Sequence, residues 1–367
     1  MHSKRGMSTV LVAMLIAIVI LAAVAAYGWL RPIETPPPAE VVTLEEKARL
    51  EGKVTIYGLI DTPDFVAKIK PAFELEYPWA AGMVEYVGFA PADLSSRALS
   101  EYQAGSVQAD VFSCTLGSFM PALIGGVAEN WTNPMISLMN YSTGTYEKNG
   151  QWGPGFQLTI LLMYNTERLA ILGYDPPATW EDLTAPKWNG LIALEEPKLL
   201  APIGSLFAHL YPILGETAWT ALMEGIAANN PVYTQSATEA YTKVSAGECA
   251  LGIGLINDYL AGKAEGVPVE AVWIEPVTSL PIVTSLAKNA PHPNFAKLFY
   301  MWWASGAGQY SYVSAGRIPM YVPIATATIL RGLVPSNITS IAAVASNNPD
   351  YYIHPSAWSD RYTAIFG

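Results

Sequence analysis

Residues 156–174 read FQLTILLMYNTERLAILGY. The first half is a long apolar run broken only by Gln157 and Thr159, with the β-branched and aromatic content of a strand. After Asn165 the spacing becomes helical, with Leu169 and Leu172 on one side. The stretch decides the fold because the same alternation has already run once upstream. KVTIYG (53–58), MVEYVG (83–88) and ADVFSC (109–114) read as strands. Between them lie a helical segment with Phe65, Val66, Ile69 and Phe73, interrupted at Pro71, and the segment PADLSSRALSEYQAG (91–105). Strand, helix, strand, helix, strand predicts a parallel sheet covered by helices.

From residue 156 the pattern restarts. NGLIALEEP (189–197) is a strand, a helix begins near Gly204 and Ser205, PVYTQS (231–236) is a strand, and a helix follows over 238–246. ALGIGLINDYLAG (250–262) is a buried strand that ends by presenting Asn257, Asp258 and Tyr259. The chain therefore holds two α/β units. In open parallel sheets ligands sit beyond the carboxyl ends of the strands. In the first unit those ends carry LIDTP (59–63) and SCTLGS (113–118), which place Asp61, Thr62, Ser113, Thr115 and Ser118 there. The same residue types are also ordinary loop and helix-cap chemistry.

The chain has 367 residues, 51% apolar and 14% charged, enough for a large core and unlike a disordered composition. A net charge of −11 excludes a nucleic-acid partner, which needs a basic surface. Cys114 and Cys249 make no framework and no metal-type spacing, and read as unpaired. At the N-terminus, Lys4 and Arg5 precede an uncharged run from Gly6 to Leu30. About 20 such residues span a bilayer, so residues 1–30 read as a signal or membrane anchor with the rest of the chain outside. Ala23-Val24-Ala25 offers a cleavage site as the rival, and Lys4-Arg5-Gly6-Met7-Ser8 resembles the processing site of archaeal pilin-like signals. Three sequons, at Asn130, Asn140 and Asn337, agree with export and with a glycoprotein. Residues 31–42, RPIETPPPAEVV, read as a proline-stiffened spacer, and TLEEKARLEG after it as a helix with Thr43 and Glu46 in a capping box.

Several stretches in order resemble the extracellular solute-binding proteins of ABC uptake transporters, closest to the ferric-ion-binding branch. They are ADVF (109–112), YNTERL (164–169), TWEDLTAPKWNGLIAL (179–194), AGECALGIGLINDY (246–259), NAPHPNFAKLFYMWWASGAGQ (289–309) and GRIP (316–319). The resemblance implies a two-lobed, type II periplasmic-binding α/β fold with a ligand cleft between the lobes. Lobe one is expected over 43–135 with 278–325 returning to it, lobe two over 136–277, and a C-terminal helix or arm over 326–367. It further implies delivery of a captured solute to a permease and its ATPase, with no cofactor and no catalysis.

The resemblance also places ligand-binding residues. Asp61, Thr62, Ser113 and Thr115 come from lobe one, and Tyr164, Ser205, Gln235, Ser236, Asn257, Asp258 and Tyr259 face them from lobe two. Ferric-binding members put two adjacent tyrosines where this chain has Tyr259 and Leu260, and a histidine and a glutamate where it has Asp61 and Thr115. Iron(III) as the transported ligand would then rest on Asp61, Asp258 and Tyr259, helped by an anion or water. The alternative ligand is a small organic or phosphorylated anion, suited to hydroxyls at a helix N-terminus. An exported enzyme is the poor competitor. The chain has four histidines, with His292 read as a surface turn and His209 on an apolar helical face, and no Gly-x-Ser-x-Gly, His-Glu-x-x-His or phosphate loop. A structural or adhesive surface protein fits the anchor but not the α/β pattern, which has no short repeat.

Overall fold

A computed structural model of the chain describes residues 39–60, 62–141, 144–200, 202–274, 277–324, 341–343, 351 and 354–367. The expected anchor (1–30), most of the spacer, Asp61 and the sequon Asn337 lie outside the described residues. Among the described residues no helix is long and apolar enough to cross a membrane.

Helix α1 (Ala39–Glu51) starts inside the stretch expected to be spacer, so Thr43 is within the helix rather than at its cap. Gly52 ends it in the left-handed conformation, φ 76°. Strand β1 (Val54–Gly58) follows, then a continuous helical run over residues 62–76. Its middle, Phe65–Ile69, is a π-turn, and α2 (Lys70–Glu76) resumes with Pro71 in its first turn. The wider turn accommodates a proline that has no N–H to give the preceding turn, which is the interruption Pro71 forecast. Then come β2 (Val84–Gly88), α3 (Pro91–Gln103), β3 (Val111–Thr115), α4 (Leu116–Ile124), α5 (Pro134–Leu138) and β4 (Gly153–Asn165). The second unit continues with α6 (Thr166–Leu172), β5 (Ile192–Glu195), α7 (Pro202–Leu214), α8 (Glu216–Ala228), β6 (Val232–Thr234), α9 (Ala237–Ser245), β7 (Leu251–Leu255), α10 (Ile256–Glu265) and β8 (Val269–Val272). The chain returns through β9 (Val277–Leu286), α11 (Pro293–Trp303), α12 (Gly306–Ser314) and β10 (Ile318–Pro319), and adds β11 (Ile341–Ala343) and α13 (Pro355–Phe366).

Strand order is β2-β1-β3-β9-β4-β7-β5-β6, with β8 and β10 also on β4 and β11 on β9. β1 pairs in parallel with β2 and β3, and β5 in parallel with β6 and β7, as the alternation predicts. The two parallel sets meet through antiparallel β9 and β4. β4 is shared between them. Residues Gly153–Thr159 pair with Thr284–Ser279 of β9, whereas Ile160–Tyr164 pair with Leu255–Leu251 of β7. The strand thus passes from lobe one to lobe two at Thr159 and Ile160, where the Thr159 and Ser279 hydroxyls are 3.2 Å apart.

This crossing corrects the expected boundary at 136. Residues 136–141 and 153–159 belong with lobe one: Tyr141 donates to the Ala304 carbonyl at 2.9 Å, Ile136, Tyr141, Ala304 and Met320 form one apolar cluster, and Gly153–Thr159 pair with β9. Lobe one's core includes an aromatic set, with Phe73, Phe299, Trp302 and Trp303 packed ring against ring and buried. His292 is not a loose surface turn. Its Nδ1 and backbone N–H contact the two oxygens of the wholly buried Asp110 at 3.0 and 2.7 Å, which pins the start of α11 to β3. Lobe two buries Trp188, Trp219, Leu206, Phe207 and Ile253. Helix α13 closes that core through Trp358 and Tyr362, so the described end of the expected C-terminal arm, Pro355–Phe366, is part of lobe two.

Candidate functional site

Parallel sheets leave their carboxyl-end loops and the following helix N-termini on one edge, and here the two units turn those edges toward a common cavity of about 160 Å³. Lobe one contributes Ala90–Ala92 at the start of α3 and Thr115–Ser118 at the start of α4. Lobe two contributes Leu199, Leu200, Pro202 and Ser205 at the start of α7, and Leu280 and Pro281 of β9 form part of the wall. Three helices therefore begin at the cavity. Their first turns carry backbone N–H groups with no partner inside the helix and the positive end of the peptide dipoles. Neither a carboxylate, an imidazole nor a phenol is among the described residues that line it.

Thr115 is the N-cap residue of α4, yet its hydroxyl makes no cap bond. Its Oγ1 is buried without a hydrogen-bond partner, and the residue is 9% exposed where it lines the cavity. Ser113 lies one pleat deeper on the same face of β3, also buried, with its Oγ unpartnered. Free buried hydroxyls cost stability unless something meets them, so this face is built to be met. Thr62 is exposed, and its Oγ1 lies near Gly88, where an added Cβ would come within 3.0 Å of it.

On the opposite wall, the lip is held from behind. Glu195 at the end of β5 is 2% exposed and accepts from the backbone N–H of Ile203 (3.0 Å) and of Ala237 (3.2 Å), the first turns of α7 and α9. Burial pushes its pKa up to about 7 against the pull of those two donors. Leu200 sits in the left-handed region, φ 55°, which a branched side chain rarely adopts. Its carbonyl accepts from the Tyr351 hydroxyl at 3.0 Å, and the same hydroxyl is 3.0 Å from Ser205 Oγ. The Tyr362 hydroxyl donates to the Gly204 carbonyl at 2.6 Å. An added Cβ at Gly204 would collide with the Pro197 carbonyl oxygen, so only glycine fits between strand loop and helix.

Of the residues named from sequence, Thr115, Ser118 and Ser205 line the cavity together. Asn257 and Asp258 begin α10, with Asn257 Nδ2 donating to Asp258 Oδ1 at 2.7 Å and Thr238 donating to Oδ2 at 2.9 Å. Gln235 is exposed, and Ser236 caps α9 by accepting from the Glu239 N–H. Tyr164 and Tyr259 are brought together, but elsewhere. Tyr164 pairs with Glu270 in the β4–β8 register, and the Tyr259 hydroxyl donates to Glu270 Oε2 at 3.1 Å. β4 enters lobe two at Ile160, so Tyr164 stands four residues further along, about 13 Å from the crossing at 3.3 Å per residue. Tyr259 is buried in the apolar cluster there, and burial with the neighbouring Glu270 pushes its pKa up to about 12. A phenol so placed is a poor metal ligand, which corrects the expectation that it faces the cleft. Among the described residues no group of three His, Cys, Asp or Glu side chains is arranged to hold a metal ion.

Sequence reasoning missed Ala90–Ala92, the lining residues Leu199, Leu200 and Pro202, and Tyr351. The first two follow β2 and β5, the same carboxyl-end position that singled out the loops after β1 and β3. Their apolar composition hid them, because backbone N–H groups leave no trace in side-chain identity.

Residues 116–335, more than half of the chain, match the model of the bacterial extracellular solute-binding protein family. The chain belongs to that family. Its members are extracellular solute-binding proteins. An uncharacterized protein of Haemophilus influenzae is 31% identical over 147 residues, covering 40% of this chain and 42% of that protein, so the match spans less than half of the relative. Among solved structures, the periplasmic binding protein AfuA of Actinobacillus pleuropneumoniae, with exogenous fructose-6-phosphate bound, superposes with a TM-score of 0.68 at 21% identity. That match covers 86% of this chain and 98% of AfuA. Iron-bound HitA of Pseudomonas aeruginosa gives 0.67 at 17% identity, covering 85% and 99%. Ferric iron-binding protein A of Mannheimia haemolytica, in an open conformation, gives 0.65 at 18% identity, covering 85% and 98%. These likenesses establish the fold, the two-lobed type II periplasmic-binding architecture.

Proposed function

We propose that this solute receptor captures a small oxyanion-bearing molecule between its lobes and hands it to the permease of an ABC importer. Thr115 carries the reading: a buried, unpartnered hydroxyl at a helix start, beside a cavity with no anionic side chain among its described lining. A hard trivalent cation wants several anionic oxygens. The helix start at Leu116 offers donors and a positive dipole end instead, which suit an anion, and the helices that open at Pro91 and Pro202, residues without an N–H, add their dipole ends. Binding draws on both walls, and only contacts to both lobes bias an open–closed equilibrium toward the closed form the permease reads.

The test is calorimetric titration of the purified protein with inorganic phosphate, with glycerol 3-phosphate and with ferric citrate, alongside metal analysis of the untreated sample. Phosphate or its ester is expected to bind, and Thr115→Val to weaken it tenfold or more, the loss of a charge-assisted hydrogen bond. Stoichiometric iron in the untreated sample, with a visible phenolate band and no response to phosphate, would replace this reading by the ferric one.

A further inference from the structure

The cavity's two walls differ in what they can offer a ligand, and the difference originates in a residue that lies outside the lining. A phenol has one proton. The Leu200 carbonyl can only accept, so the Tyr351 proton goes to it, at 3.0 Å. The Tyr351 oxygen is left to accept, and the group 3.0 Å away is Ser205 Oγ, which must then donate. Ser205 thus gives its proton to Tyr351, away from the cavity that it lines, and turns lone pairs toward the ligand. Thr115 and the start of α4 on the facing wall have donors to give. Tyr351 and Ser205 are both buried, 4% and 8% exposed, so bulk water does not readily scramble the arrangement. The same phenol holds Leu200 in its left-handed conformation, so one side chain fixes both the backbone and the hydrogen-bond polarity of the lobe-two lip.

From this we infer that Tyr351 is a positioning residue that makes Ser205 an obligate acceptor, so the receptor selects an anion that also carries a hydroxyl or amine donor about one cavity width from its charged group. The inference rests on the oxyanion reading and adds the second recognition element.

The experiment compares glycerol 3-phosphate with propyl phosphate, a similar ester without hydroxyls, and with inorganic phosphate, on the wild type, Ser205→Ala and Tyr351→Phe. The wild type should prefer glycerol 3-phosphate over propyl phosphate roughly tenfold, the value of one ligand hydrogen bond that would otherwise leave a buried group unmet. Ser205→Ala should abolish that preference. Tyr351→Phe keeps the ring but frees the serine proton, so the preference should shrink while propyl phosphate and inorganic phosphate bind as well as before or more tightly. A wild type that binds both esters equally, or a preference that survives Ser205→Ala, overturns the inference and leaves the oxyanion reading standing. Equal weakening of both esters in Tyr351→Phe with a lowered Tm also overturns it, because the phenol would then serve packing alone. Failure of every phosphate probe on the wild type removes the oxyanion reading itself.

Discussion

Glu195 is the residue whose titration the fold exposes most directly. Its pKa is raised by burial from 4.5 to about 7, so between those values the folded chain holds a proton that the unfolded chain has released. The stability it contributes is therefore full below pH 4.5 and declines as pH rises toward 7. Buried His209 titrates in the opposite sense. Its pKa is lowered to about 4, so it costs stability as pH falls from 6.5. The two overlap, and only a variant separates them. The difference in Tm between wild type and Glu195→Gln should shift in favour of the wild type on going from pH 8 to pH 5, measured by thermal melts in one buffer series. A pH-independent difference would show that Glu195 does not change its protonation in this range. Tyr259 invites a second check. Because its hydroxyl meets Glu270 and not the cavity, Tyr259→Phe should cost about 1 kcal/mol of stability in denaturant titration and leave ligand affinity unchanged. In the sequence this residue looked like a ligand because it follows an apolar strand. The side chain's direction around the helix was not legible there, since Ile256–Glu265 turns the phenol back along the sheet.

Among the elements, α13 is the one whose role only packing reveals. Its moderate apolar content gives no address, and the structure supplies one. Trp358 lies edge-on to Trp219 at 5.9 Å and to Tyr211 at 5.4 Å, Arg361 stacks over both of those rings, and Phe366 stacks on Phe207 at 6.0 Å. Trp358→Ala should destabilise lobe two by about 3–5 kcal/mol, the usual cost of removing a buried indole. A Tm within a degree or two of wild type would mean that the helix is not needed to close this core. By contrast, β1, β2 and β3 were legible to within two residues and β5 and β7 by position though not by length, because short apolar runs between helices leave few other readings. The site was half legible. Thr115, Ser118 and Ser205 are polar side chains after strands or in helix first turns, whereas most of the remaining wall is backbone and alkyl surface from Ala90, Leu116, Leu200 and Pro281.

At the scale of the whole molecule, two α/β units were evident from the restarted alternation, but the place where one becomes the other was not. Thr159 and Ile160 lie in mid-strand, and nothing in an apolar run distinguishes the residue that changes partners. That division has a consequence for how the chain is made. Strand β3 (111–115) borders β9 (277–286), and the first half of β4 borders β9 too, so the sheet of lobe one stays open until the residues of lobe two have all been synthesised. Pairings this remote in sequence are slow to form and leave an unpaired strand edge in the meantime. Lobe one therefore matures last although it begins first, and a chain emerging N-terminus first carries a vacant slot beside residues 111–115 for most of its passage.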